Sequence, residues 1–157
     1  MVKKMVRDVT WLDGDPLSAT NLNRSKVAST TGAGIELIWK DASERALHLA
    51  NQVAGVAWTD LDLTAFTSAT AKIAVIQLRL TVNTVGAAVC SLGIRKNGTT
   101  PTYYPIMSAD PYFPIAGNYI AEVCLIGMDT GQVIEYHVSM GAGWDVDCDI
   151  EVLAYYE

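Results

Sequence analysis

The sequence predicts an all-β fold, an antiparallel β-sandwich or jelly roll preceded by a short N-terminal segment that is irregular to helical. Three observations support this prediction. β-Branched runs recur after residue 55, turn signals separate them at roughly even intervals, and no helical pattern lies between them. Short strands with this spacing are typical of antiparallel sandwiches and not of parallel βαβ units. We therefore divide the chain into an N-terminal extension segment, residues 1–54, and a sandwich domain, residues 55–157.

The N-terminal extension segment contains a candidate helix near its start. Asp15 followed by Pro16 has the chemistry of a helix N-cap and first helical residue. Leu17 and Leu22 would then lie on one side of a helix of about two turns, which is marginal in water by itself. We expect a partner surface to hold this helix.

The other elements follow from periodicity and turn chemistry. Residues 35–39 are interpreted as a short strand, and residues 42–52 have the composition of a helix. The strands predicted for the sandwich domain cover residues 72–82, 87–95, 103–107, 119–126, 133–140 and 144–155. Asn97-Gly98 is a strong hairpin signal after the second of these strands, and residues 129–132 predict another turn.

Composition limits the functional classes. The chain has 157 residues, enough for one well-buried core. Hydrophobic residues make up 50% and charged residues 18%, whereas ordinary soluble domains have about 25% charged residues. No apolar run approaches the ~20 residues of a membrane span. The surplus apolar surface therefore predicts a homo-oligomer and no membrane insertion.

Charge and cysteine content exclude further classes. Residues 1–54 contain seven Lys or Arg and six Asp or Glu, whereas residues 55–157 contain four and eleven. An acidic sandwich argues against nucleic acid as a partner, because phosphate binding needs clustered basic residues. The N-terminus lacks the apolar h-region of a signal peptide. Cys90, Cys124 and Cys148 have no metal-like or redox-like spacing and are expected as buried thiols of a protein made in a reducing cytoplasm.

The last predicted strand carries the most distinctive chemical pattern. Four acids, Asp145, Asp147, Asp149 and Glu151, alternate with apolar residues, so they share one face of the strand. Neighbouring carboxylates can bind Ca²⁺, which makes Asp145, Asp147 and Asp149 candidate metal ligands. The alternative is a solvated sheet face that also prevents edge-to-edge aggregation. Since like charges repel, the four acids need compensating groups or bulk water.

No catalytic or cofactor motif accompanies these acids. His48 and His137 are isolated in the sequence, and there is no His-Glu-x-x-His or Cys-x-x-Cys motif for zinc. There is no Gly-x-Ser-x-Gly nucleophile elbow. The Gly-containing stretches at 32–34 and 141–143 do not connect a strand to a helix as a phosphate-binding loop does. The sequence predicts no cofactor and no enzymatic activity.

Aromatic residues cluster in two Pro-containing loops. Tyr103 and Tyr104 lie in the first, and Tyr112 and Phe113 lie in the second. Flat rings bury area at little entropic cost, so these four residues are candidates for contact with a sugar or protein ligand. The alternative is that the rings close the end of the sandwich or contribute to a subunit interface.

Several short motifs resemble virion proteins of tailed bacteriophages. The segment WLDGDPLSATNLN, residues 11–23, resembles a segment found near the N-termini of tail-fibre and other virion proteins. WTDLDLTAF at 58–66, Ala71-Lys72 before a long strand, and IRKNG at 94–98 resemble β-sandwich domains of phage fibres and capsid decoration proteins. Such domains often form trimers akin to tumour-necrosis-factor-like jelly rolls. The resemblance implies that the first segment attaches the protein to the particle through Trp11, Leu12, Leu17, Leu22 and Asn23.

Together these arguments predict a non-enzymatic virion structural protein, a phage fibre or capsid decoration protein located on the particle. Its expected partners are further copies of itself, as a trimer, and other capsid or tail proteins. The main alternative is a fibre-tip domain that binds a host-surface receptor or glycan through residues 103–114. An ion-stabilised assembly and a polysaccharide-cleaving enzyme are two further hypotheses.

Overall fold

The structure, a computed structural model, describes residues 24–27, 35–101, 104–112 and 115–157. All regular secondary structure in this part of the chain is β-strand, which confirms the predicted all-β class. The strands are β1 (Arg24–Val27), β2 (Ile35–Gln52), β3 (Val56–Asp62), β4 (Ile73–Thr84), β5 (Cys90–Lys96), β6 (Ile106–Ala109), β7 (Tyr119–Gly127), β8 (Val133–Ser139) and β9 (Asp145–Tyr156).

The strands form two antiparallel sheets. Sheet A has the order β1-β2-β9-β4-β7, and sheet B has the order β3-β8-β5-β6. Without β1, each sheet contains four strands, and the two orders are those of an eight-stranded jelly roll. The predicted sandwich architecture is therefore confirmed. Because β9 lies between β2 and β4, the last strand of the chain is central in sheet A.

Most strands predicted for the sandwich domain are present. The predictions for β4, β5, β7, β8 and β9 are confirmed with small shifts at their ends. The strand predicted over residues 103–107 is found later, as β6. β3 was not predicted as a strand.

Both predicted turns are also confirmed. Gly98 has a φ of +69°, which favours glycine, and the turn there is closed by a 3.3 Å hydrogen bond from the Thr99 amide to the Lys96 carbonyl. In the second turn, Asp129 Oδ1 accepts hydrogen bonds of 2.8 Å from the amides of Gly131 and Val133. These bonds lower the pKa of Asp129, the bond from Val133 having the largest effect.

The helix predicted over residues 42–52 is wrong. These residues belong to β2, an 18-residue strand that also contains the short strand predicted over 35–39. Helix propensity is a weak preference, and pairing with β9 overrides it because Leu47 and Leu49 lie opposite Ile150 and Cys148. The sandwich therefore includes residues 35–52, which were predicted to belong to the N-terminal extension segment.

The core lies between the two sheets and is formed by alternate residues of their strands. Ile76, Leu78 and Ile150 of sheet A and Leu92 and Ile134 of sheet B are fully buried in it. Complete burial of such a side chain stabilises the folded chain by about 1.5–3 kcal/mol relative to leaving it exposed.

Two of the three cysteines belong to this core. Cys90 and Cys148 are fully buried, as predicted, and burial raises the pKa of their thiols to about 11 and about 12. Cys124 on β7 is half-buried, and its pKa is raised to about 11, mainly by burial. The thiols are therefore protonated at neutral pH.

A bulge in β9 changes the face on which its residues lie. Ile76 pairs with Val152 but Val75 pairs with Ala154, so Leu153 is an extra residue on β9. Before the bulge, the residues that pack into the core are Val152 and every second residue preceding it. After the bulge, Tyr155 packs against the core, and Ala154 lies on the outer face of sheet A beside Val75.

Candidate interaction surfaces

The four acids of β9 lie on the outer face of sheet A, where neighbouring strands supply partners for them. We refer to Asp145, Asp147, Asp149 and Glu151 as the carboxylate ladder. Asp149 is opposite His48 of β2 and opposite Arg79 of β4. Paired residues of an antiparallel sheet project from the same face. Three strands therefore place an acid between two basic side chains.

Asp149 is almost completely buried by these neighbours. Its Oδ2 accepts hydrogen bonds from Arg79 Nε at 3.0 Å and Arg79 Nη2 at 2.7 Å. Its Oδ1 accepts a 2.7 Å bond from His48 Nδ1 and lies 3.3 Å from Arg45 Nε. Burial alone would raise the pKa of Asp149, but the hydrogen bonds from Arg79 and His48 outweigh it, and the pKa is lowered. The carboxylate is therefore charged and fully paired.

The rest of the ladder has polar neighbours as well. Asp147 Oδ1 accepts hydrogen bonds from the backbone N–H of Asn51 at 2.8 Å and from the side-chain Nδ2 of Asn83 at 3.0 Å. Asn83 Nδ2 also lies 3.3 Å from Asp145 Oδ1. Glu151 is 4.0 Å from Arg79 Nη2. The compensation that four like charges require is thus provided within the sheet.

These surroundings do not favour the candidate metal site. Arg45 and Arg79 flank Asp149, and the positive charge of their guanidinium groups opposes the approach of a cation. Over the described ranges, no group of three or more His, Cys, Asp or Glu side chains is arranged to hold a metal ion.

Beyond the bulge, the same outer face becomes apolar. Four residues from four adjacent strands lie in register: Leu125 of β7, Val75 of β4, Ala154 of β9 and Trp39 of β2. We call this set the apolar row. Val75 and Ala154 are buried in its middle, whereas Leu125 and Trp39 at its ends are 58% and 47% exposed.

Strand β7 continues this apolar surface along the edge of sheet A. Tyr119, Val123 and Leu125 alternate with inward-facing residues, and all three are more than half exposed. Exposed apolar patches often mark interaction sites, so this surface is a candidate interaction surface. The outer face of sheet A thus has a charged part whose groups are paired and an apolar part with several exposed side chains.

The outer face of sheet B carries an aromatic and ionic cluster around Trp58 of β3. The Trp58 ring stacks on His137 with a centroid distance of 5.0 Å and an interplanar angle of 25°, and Tyr104 meets it edge-on, also at 5.0 Å. The Arg95 guanidinium lies 4.1 Å from the centre of the Trp58 ring, a cation–π contact. Arg95 also forms two hydrogen bonds to Glu135, of 2.8 and 3.2 Å.

Two further details define this cluster. Gly93 lies beneath Tyr104, and a Cβ at this position would be 2.8 Å from Tyr104 Cε2. The Nδ1 atom of His137 is buried without a hydrogen-bond partner. The cluster is otherwise internally paired, which indicates a contribution to the packing of sheet B.

The structure separates the aromatic residues predicted to bind a ligand. Tyr104 is half-buried against Trp58, whereas Tyr112 is 93% exposed on the loop after β6. Tyr103 and Phe113 lie outside the described residues. The proposed attachment residues, Trp11, Leu12, Leu17, Leu22 and Asn23, also lie outside them.

Sequence reasoning missed the basic side chains that pair with the ladder. Arg79 and His48 are separated from Asp149 by 70 and 101 residues, so no local pattern connects them. A signal existed in the alternation of Gln77, Arg79 and Thr81 along β4, which marks an outer polar face that includes a basic residue.

Comparisons with known proteins add no relative. No protein-family model matches the chain, and no curated protein matches it. Within the described residues, no helix is long and apolar enough to cross a membrane.

Proposed function

We propose that this chain is a non-enzymatic structural protein of a tailed-phage virion, a fibre or capsid decoration protein. It attaches to the particle through its N-terminal segment and self-associates through its sandwich, and it uses no cofactor. The proposal rests on the short motifs at residues 11–23, 58–66 and 94–98. The jelly-roll fold is compatible with it.

The observation that carries the self-association is the apolar row with its continuation on β7. Leu125 and Trp39 occupy opposite ends of a row that spans four strands, and each has about half of its surface in contact with solvent. Covering such side chains gains about 25 cal/mol for each Å² of apolar surface removed from water. A second copy of the chain that contacts the β7 end of the row would cover part of this apolar surface, and no other protein is required for this.

Detection in particles tests the virion assignment. Mass spectrometry of virus particles purified from cultures that express the gene should find the chain in many copies per particle. A chain that appears only in the soluble lysate, and is absent from purified particles, would contradict the assignment.

The solution mass tests self-association separately. Light scattering on the full chain should give a mass of more than one chain at micromolar concentration. The trimer expected from the resemblance stays a prediction, and this measurement decides it. A single-chain mass at all concentrations would contradict self-association and leave the apolar surface for a different partner.

Host adsorption is the second candidate function, and the exposure of Tyr112 favours it. An aromatic ring that is 93% exposed is suited to contact a receptor or glycan at low entropic cost. Particles carrying Tyr112→Ala should then adsorb to host cells more weakly, with an unchanged solution mass of the protein. Loss of assembly in this variant would instead make Tyr112 a structural residue.

A further inference from the structure

We propose that β7 pairs in an antiparallel manner with β7 of a second copy, so that two sheets A join into one continuous sheet across a two-fold axis. This inference rests on the self-association in the proposed function and names the strand, the register and the symmetry. It concerns the open edge of sheet A, from Tyr119 to Gly127.

The edge of β7 is available for pairing. Within the described chain β7 pairs only with β4, and it is the last strand of sheet A. Every second residue of an edge strand turns its amide and carbonyl groups away from its neighbour. Nine residues at about 3.4 Å each give a free edge about 30 Å long.

The strand has few of the features that protect natural edges. Proteins block edge-to-edge pairing with lysine, proline or inward-pointing charges. β7 contains no lysine, arginine or proline, and its single charged residue is Glu122, opposite Leu78 on the inner side. Tyr119, Val123 and Leu125 on its outer face are exposed and apolar. An edge of this composition is a template for another strand, provided that the one acid is accommodated.

Charge selects a register for pairing with a second copy. A two-fold axis at Glu122 would place this acid opposite its own copy, and like charges in that position are destabilising. An axis at Val123 places Glu122 opposite Cys124. The Val123 register also centres the strand, so that all nine residues have partners.

Side-chain sizes are complementary in this register. Ala121 lies opposite Leu125, and Tyr119 lies opposite Gly127, so each large outer side chain faces a small residue. Ile120 lies opposite Ile126 on the inner side, where both pack against the core. The outer apolar surfaces of the two copies then adjoin each other on the same side of the continuous sheet.

The symmetry of this contact has a consequence for the number of subunits. Contact of a surface with itself across a two-fold axis is isologous and closes at two copies. The pairing therefore predicts a dimer, or a larger assembly with an even number of chains, in place of the expected trimer.

Cysteine cross-linking tests the register. Val123→Cys places two cysteines directly opposite each other, with Cβ atoms about 4.5–5.5 Å apart, close to the ~3.5–4.5 Å of a disulfide. Oxidation of the full chain should give a covalent dimer on a non-reducing gel. The matched control is Leu125→Cys, because residue 125 and its copy would be about 14 Å apart. The wild type reports the background from its own thiols.

A charge substitution tests the contact without a cross-link. Val123→Lys opposes two lysines across the axis, so light scattering should show the mass falling from two chains to one at micromolar concentration. The control is Val53→Lys, the same substitution at a valine that is 67% exposed away from β7, and it should leave the dimer intact. Circular dichroism confirms that both variants are folded.

The outcomes separate this inference from the function on which it rests. A dimer with selective cross-linking at residue 123 supports the β7 pair. A trimer, or equal cross-linking at residues 123 and 125, overturns the pair and leaves self-association standing. A monomer of the wild-type chain overturns both.

Discussion

The two ends of the outer face of sheet A differ in whether the chain itself provides contacts for their side chains. At one end, the carboxylate ladder is enclosed by basic and amide side chains of β2 and β4, and Asp149 is almost fully buried between Arg79 and His48. At the other end, the apolar row ends in exposed Leu125 and Trp39. Both ends lie on the same strands, separated by the bulge at Leu153.

The difference shows which groups a single chain can satisfy by itself. Hydrogen bonds are directional and short, so a polar group in a sheet finds partners on the adjacent strands. Apolar side chains gain only by losing contact with water, and among the described residues sheet A has a second layer on its inner face only. The charged end therefore stabilises the monomer, whereas the apolar end can contribute only when something else covers it.

The largest loss of stability is expected when the buried acid of the charged end is removed. Asp149→Ala leaves Arg79 and His48 without their acceptor, and we expect the free energy of unfolding to fall by about 3 kcal/mol. Asp145→Ala, at the edge of the same ladder with one 3.3 Å contact, should cost less than about 0.5 kcal/mol. Urea denaturation measures both. Equal small losses would show that the buried acid contributes no more than a surface one.

The pH dependence of the unfolding free energy tests the same end without removing the Asp149 side chain. The pKa of Asp149 is lower in the folded chain than in the unfolded one, so its contribution is complete above about pH 4 and is lost as the pH falls through the folded value. Asp149→Asn should therefore weaken the dependence of the unfolding free energy on pH below about 4. Asp62 and Asp129, whose pKa values are also lowered, maintain a residual slope. An unchanged slope in the variant would contradict the assignment.

The smallest expected effect on folding concerns the apolar end. Leu125→Ser should change the free energy of unfolding of the single chain by less than about 0.5 kcal/mol, since the side chain is mostly exposed. It should nevertheless weaken self-association measured by light scattering. Urea denaturation at submicromolar protein concentration isolates the first quantity. A loss of several kcal/mol there would show that the chain's own residues cover Leu125.

The fold was largely predictable because its signals are local. Alternation in residues 133–140 and 144–155 and the turns at Asn97-Gly98 and 129–132 depend on neighbours in the sequence. β2 was mispredicted because Ala42, Ala46 and Leu47 favour a helix one residue at a time. The extended conformation becomes favourable only when β9 pairs with these residues. Because β9 lies about 100 residues away in the sequence, a pattern read from neighbouring residues cannot reveal this pairing.

The interaction surfaces were less predictable for the same reason. The ladder was visible in the sequence, but the burial of Asp149 depends on the register that sets Arg79 and His48 beside it. The apolar row is still harder to foresee, because its four members come from four separate strands. Composition indicated surplus apolar surface but not its location.

The bulge at Leu153 gives the last strand one place where its length can change. Deletion of Leu153 would remove the extra residue and leave Ala154 outward beside Val75 and Tyr155 toward the core, so every position would keep its face. Deletion of Ile150, in the regular part of the strand, would instead turn Glu151 inward and Val152 outward. Evolution can therefore shorten this strand by one residue at the bulge, whereas the same loss a few positions earlier would exchange a buried apolar side chain for a charge.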